Sequence, residues 1–87
     1  MYDVGAKLVE KSKKGDVEAF EQLIEGYQKR VFGIAMRFCG NKKDACELAC
    51  DIFVDVFKSM DTVEDEHSVA TLINKVTVSM CLKNNIK

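Results

Sequence analysis

Apolar residues recur along the chain at three- and four-residue steps, the period of helices that each bury one face. The spacing predicts a short first helix over residues 4–13, stopping before Gly15. Asp16 then stands at an N-cap, where its carboxylate accepts from the orphan amides of the next turn. Behind it Phe20, Leu23, Ile24, Tyr27, Val31, Ile34, Ala35 and Phe38 form one stripe, read as a single helix over residues 16–39. Gly26 and Gly33 lie inside that stripe. Each costs about 1 kcal/mol against alanine, so packing is expected to outweigh propensity there. Gly40 ends the helix as a C′ glycine.

A third helix is predicted over residues 41–60, with Asn41 and Asp44 in a capping-box relation. Its buried arc is Ala45, Ala49, Ile52, Phe53, Val56 and Met60. The run DTVEDEH, residues 61–67, reads as a polar break. A last helix over residues 68–84 would bury Val69, Leu72, Ile73, Val76 and Met80, with a strand as the alternative because NKVTVSM is rich in β-branched residues. One apolar stripe per helix and short connections predict an all-α fold, a compact bundle of three to four helices.

Composition narrows the class. Of 87 residues, 47% are hydrophobic and 31% charged, the balance of a single small soluble domain. No apolar run approaches the roughly 20 residues that span a bilayer, and the amino terminus has no signal-peptide core. The expectation is a cytoplasmic chain whose four cysteines stay reduced.

Charge is unevenly spread. Residues 1–43 carry nine Lys/Arg against six Asp/Glu, residues 44–66 eight acids against one lysine, and residues 67–87 three lysines and no acid. On a helical wheel Asp44, Glu47, Asp51 and Asp55 fall within about 80° of one another. Such a stripe is either a solvated face or a strip for a basic partner. It lacks the shared pocket that acid–base chemistry requires. Cys46 and Cys50 sit one turn apart at the margin of the apolar arc, and two thiols at that spacing are half a zinc site. No CxxC or HxxxH pair completes one, and His67 is the single histidine. The cysteines read as reduced residues at a core edge or interface, with redox sensing through Cys39, Cys46, Cys50 or Cys81 as the alternative. No glycine-rich phosphate loop or nucleophile elbow is present, so an enzyme is not expected and no cofactor or metal is implied.

The stretch GDVEAFEQLIEGYQKRVFGIAMRFCGNKKDACELACDIFVDVF, residues 15–57, resembles region 2 of bacterial RNA polymerase sigma factors, most of all the extracytoplasmic-function (ECF) group. Gly15, Asp16, Ala19, Phe20, Leu23, Tyr27, Val31, Ala35 and Gly40 match that pattern in order, followed by Asp44, Ala45, Leu48 and Phe53. The resemblance implies a helical bundle whose third-helix face docks on the clamp-helix coiled coil of the largest subunit of core RNA polymerase. Carried over position by position, it assigns Asp44, Glu47, Leu48, Cys50, Asp51 and Val54 to that contact. Cys50 stands where the family usually has glutamine.

The last helix would contribute to recognition and opening of the minus-ten promoter element, through Thr71, Asn74, Lys75, Ser79 and Lys83, with Lys87 as a further cation. Leu72 takes the place of the family's tryptophan, Val78 that of a basic residue and Ser79 that of asparagine. Stacking surface and positive charge are both reduced, so promoter DNA is expected to bind weakly to the chain alone. Core polymerase, promoter DNA and an anti-sigma factor are the implied partners, without a membrane. The helix-turn-helix region that follows in the family has no counterpart in these residues. The runner-up reading is a degenerate region 2 that docks on polymerase or on a regulator without autonomous DNA recognition.

Overall fold

Caps and turn glycines set the helix boundaries. The computed structural model describes residues 4–85, with side chains through residue 83. Helix α1 (Val4–Lys13) closes in a Schellman motif: Asp16 N–H donates to the Lys11 carbonyl at 3.1 Å and Gly15 N–H to that of Ser12 at 3.0 Å. That closure needs a left-handed residue, and Gly15 supplies it at φ +94°. Helix α2 (Val17–Ile24) starts at Asp16, whose Oδ1 accepts from Ala19 N–H at 3.1 Å. Helix α3 (Gln28–Cys39) ends at Gly40, φ +77°. Helix α4 (Lys42–Lys58) and helix α5 (Glu66–Asn85) complete the order, separated by a short 3-10 turn at Met60–Thr62.

The single helix predicted over residues 16–39 is divided by a 3-10 turn, Glu25–Tyr27. Right-handed dihedrals continue through Ile24, Glu25, Tyr27 and Gln28, so the stripe keeps its direction while the turn tightens. No close approach explains the glycines there. A Cβ added at Gly26 or Gly33 would meet nothing within 4 Å.

Among the described residues five α-helices form an all-α bundle, with extents of 46 × 20 × 19 Å. The contacts run α1 on α2, α3 on α4, and α5 against both α3 and α4. Val31, Ile52, Val56, Met60, Val63, Val69 and Ile73 are the large side chains at its centre. Helix α5 is helical throughout, so the strand alternative fails. Its β-branched Val69, Ile73 and Val76 are all buried, and burial worth about 1.5–3 kcal/mol for each outweighs a few tenths of helix propensity.

Three expectations need correction. Phe38, read as core, is 50% exposed. Leu48, read as a partner contact, is only 3% exposed and packs inside. The polar break is not wholly polar: Val63 is buried, and the helix starts earlier than residue 68, at Glu66. Buried Thr77 is also internal, its Oγ1 donating to the Ile73 carbonyl at 2.6 Å.

Candidate functional site

Helix α4 presents its acids because Ala45, Leu48, Ile52 and Val56, at steps of three and four, turn the opposite side into the core. Asn41 and Asp44 are joined by two bonds, one to the backbone and one between side chains. Asn41 Oδ1 accepts from Asp44 N–H at 2.9 Å, and Asn41 Nδ2 donates to Asp44 Oδ2 at 2.9 Å. Asp44 is thereby held in place at the head of the stripe. Glu47, Asp51 and Asp55 follow, all exposed, and among the described residues none of the three has a side-chain hydrogen bond or ion pair. No lysine or arginine interrupts residues 44–57. The face is an unneutralised anionic strip.

Val54 lies beside that strip and is 46% exposed, with Cys50 exposed one turn earlier. Of the six positions the resemblance assigned to polymerase, the structure brings Asp44, Glu47, Cys50, Asp51 and Val54 onto one continuous exposed arc of about 120°. Leu48 is the exception. At about 40° from Asp44 on the wheel it falls on the shoulder of the buried arc, next to the 45–52–56 row.

The cysteines separate by environment. Cys46 and Cys50 are exposed free thiols, Cys39 is half-buried and Cys81 is buried. Burial pushes the Cys81 thiol above its ordinary pKa, with a smaller push from Cys39. Among the described residues no group of three or more His, Cys, Asp and Glu side chains could hold a metal ion.

On α5 the residues assigned to DNA share one side. Thr71, Asn74, Lys75, Ser79 and Lys83 are all exposed. They fall within an arc of about 180°. Lys87 lies outside the described residues. Beside the start of the helix a cleft of about 250 Å³ is lined by Thr62, Val63, Ser68, Thr71, Leu72 and Lys75. Sequence reasoning did not place Thr62 and Ser68 beside Thr71 and Lys75, although Ser68 carried a local signal. The signal was the spacing Asp65-x-x-Ser68, an N-cap in which Asp65 Oδ1 accepts from both Ser68 N–H and Ser68 Oγ at 2.8 Å. These bonds hold the Asp65 carboxyl below its ordinary pKa, the backbone amide first and the hydroxyl second, with His67 adding a smaller pull. Asp65 is thus engaged in starting α5.

The profile of the family described as Sigma-70 region 2 matches residues 23–83. The chain is 24% identical over 80 residues to the RNA polymerase sigma-H factor of Pseudomonas aeruginosa, an alignment covering 92% of this chain and 41% of that protein. It is 21% identical over 76 residues to the ECF RNA polymerase sigma factor SigW of Bacillus subtilis, covering 87% of this chain and 41% of that one. Against the ECF RNA polymerase sigma-E factor of Haemophilus influenzae the identity is 26% over 72 residues, covering 83% and 38%. The chain therefore spans about two fifths of the length of these relatives. No solved structure matches it at comparable significance.

Proposed function

The chain belongs to the sigma-70 region 2 family, ECF type, and on that premise we propose that it docks on core RNA polymerase and contributes to opening the minus-ten promoter element. The observation that carries this reading is the α4 face, where Glu47, Asp51 and Asp55 are exposed and unpaired beside half-exposed Val54. An anionic strip edged by an apolar side chain suits a basic coiled coil, the clamp helices of the largest polymerase subunit. Charge steers the encounter and Val54 with Cys50 gives it a desolvated centre. Leu48 contributes from behind by holding α4 against the core.

Bound there, α5 presents Thr71, Asn74, Lys75, Ser79 and Lys83 to promoter DNA, with polymerase supplying most of the positive channel. The domain works by binding, without catalysis, in the cytoplasm. No helix of the described residues is long and apolar enough to cross a membrane. An anti-sigma factor fits as a competitor for the polymerase face.

Capture of purified core polymerase tests the reading. Asp51→Arg and Glu47→Lys should each abolish capture while leaving helical circular dichroism unchanged, because reversing a charge at a desolvated pair costs several kcal/mol against tenths on a free helix. Undiminished capture by the double reversal would overturn it.

A further inference from the structure

The side of the bundle formed by α3 and α5 has the opposite chemistry. Helix α3 carries Arg30 and Arg37 there and α5 adds Lys75, and neither α3 nor residues 67–83 of α5 has a carboxylate. Between the two helices lies a groove of about 290 Å³. Arg30, Ile34 and Phe38 line it from α3 and Asn74, Val78 and Leu82 from α5, each set at four-residue steps. Phe38, Val78 and Leu82 are 50%, 59% and 55% exposed, three of the six large apolar side chains that the described residues leave to water.

We propose that this groove is the docking site for an acidic amphipathic helix of a protein partner. Two apolar ridges at helical spacing receive an i, i+4, i+7 row of aliphatic side chains in the helix-in-groove mode. Charge complementarity selects the partner's sign. Arg30 and, about 20° away on the same wheel, Arg37 border the groove on one helix, and Lys75 stands beside Val78 and Leu82 on the other. Carboxylates flanking the partner's apolar row would meet these cations.

Nucleic acid fits the groove less well. A single strand is held by successive stacking platforms and a track of cations, whereas the lining offers one ring and one guanidinium. A second copy fits poorly too. The acidic helices it could offer are α2 and α4, and either of them in the α3–α5 groove is a head-to-tail contact that leads to an open chain of molecules rather than a closed dimer. One consequence rests on the function proposed above: Asn74 lies in the groove, so an occupied groove would compete with promoter DNA for α5. Docking itself does not depend on that reading, because the polymerase face is on α4.

The test titrates the 87-residue chain with a stapled helical peptide bearing leucine at i, i+4 and i+7 between glutamates, and with its twin carrying lysine for glutamate. The acidic peptide should bind at least ~10-fold more tightly than its twin and shift the NMR signals of Ile34, Phe38, Val78 and Leu82. Phe38→Glu and Val78→Glu should each weaken it by ~10-fold or more, and Val54→Glu on α4 should leave it unchanged. Phe38→Ala replaces Phe38→Glu if circular dichroism shows that the charge disturbs the helix. Equal binding of the twins, no binding by the acidic peptide, or shifts confined to α4 would overturn the proposal. So would self-association abolished by Phe38→Glu, which assigns the groove to a second copy, or stronger shifts at these residues with a single-stranded oligonucleotide.

Discussion

The rings of Phe20 and Phe57 meet edge to face, with centroids 4.9 Å apart and planes at 63°. Phe57 stands on the flank of α4 away from the Ala45–Ile52–Val56 row, so this contact ties α2 to a second side of the helix that carries the acidic strip. It fixes the rotation of α4 about its own axis, and with it the direction in which Asp51 and Val54 point.

Edge-to-face pairs contribute roughly 0.5–1.5 kcal/mol beyond their buried area. A double-mutant cycle of Phe20→Leu and Phe57→Leu, read by urea denaturation, should therefore give a coupling of about 1 kcal/mol. Additive effects within about 0.3 kcal/mol would mean the rings are merely neighbours.

Asp65 makes a prediction with a definite sign in pH. Its carboxyl is held below the ordinary value by Ser68, so it stabilises the folded chain above the unfolded pKa, and that contribution disappears as pH falls through the lowered one. Asp65→Ala should lower the Tm at pH 7 and at pH 5. The gap from the unaltered chain should close below about pH 4 as the carboxyl protonates. A gap that persists undiminished in acid would show that the cap does not act through the carboxylate.

Much of this was legible beforehand, because helix period and caps are local signals. Asp16, Gly40 and the Asn41–Asp44 box are each read from a few adjacent residues, and each stands where the spacing placed it. Three-dimensional choices were less visible. Leu48 lies at the edge of its stripe, where a rotation of 20–40° decides between core and solvent, whereas Phe38 lies within the arc of its stripe but in the last turn of α3. A neighbouring helix makes that decision: α5 turns its own Ile73 and Val76 into the core but stops short of closing over Phe38. Val63 was hidden for another reason. One apolar residue in seven gives no period, yet the 3-10 turn at Met60–Thr62 directs it inward. The groove between α3 and α5 needed both helices in place before it existed.

The four thiols should separate by accessibility. With a chromogenic disulfide reagent, Cys46 and Cys50 should react in a fast phase in the native protein, Cys39 more slowly, and Cys81 only at the rate of unfolding, since its thiol is buried and its pKa raised. Cys46→Ser should leave the Tm nearly unchanged. In that variant a bulky maleimide on Cys50 should block capture of core polymerase, because Cys50 shares the exposed arc with Asp51 and Val54. Stoichiometric zinc in the purified chain, or unfolding by a chelator, would instead place Cys46 and Cys50 in a metal site.

DNA binding by the chain alone should be weak and only mildly sensitive to salt. Each neutralised phosphate contributes about −0.7 to the slope of log affinity against log salt for a single strand. The side of α5 proposed to face DNA offers Lys75 and Lys83 among the described residues, so even with Lys87 the slope should be no steeper than about −2 to −3. The stacking platform is thin as well. Leu72 is half-buried in the cleft wall, and Val78 and Leu82 are aliphatic where they reach solvent. Without successive rings a base gains little of the roughly 1–3 kcal/mol that stacking on an aromatic provides. Fluorescence anisotropy with a minus-ten-like single strand should give a Kd above ~10 μM at physiological salt, inside the range of non-specific binding. Addition of core polymerase should tighten it by orders of magnitude, and Asp51→Arg should remove that gain without altering the weak affinity of the chain alone. Sub-micromolar, sequence-selective binding by the isolated chain would place base recognition in the Thr62–Ser68–Thr71 cleft, whose hydroxyls would then be reading the strand directly.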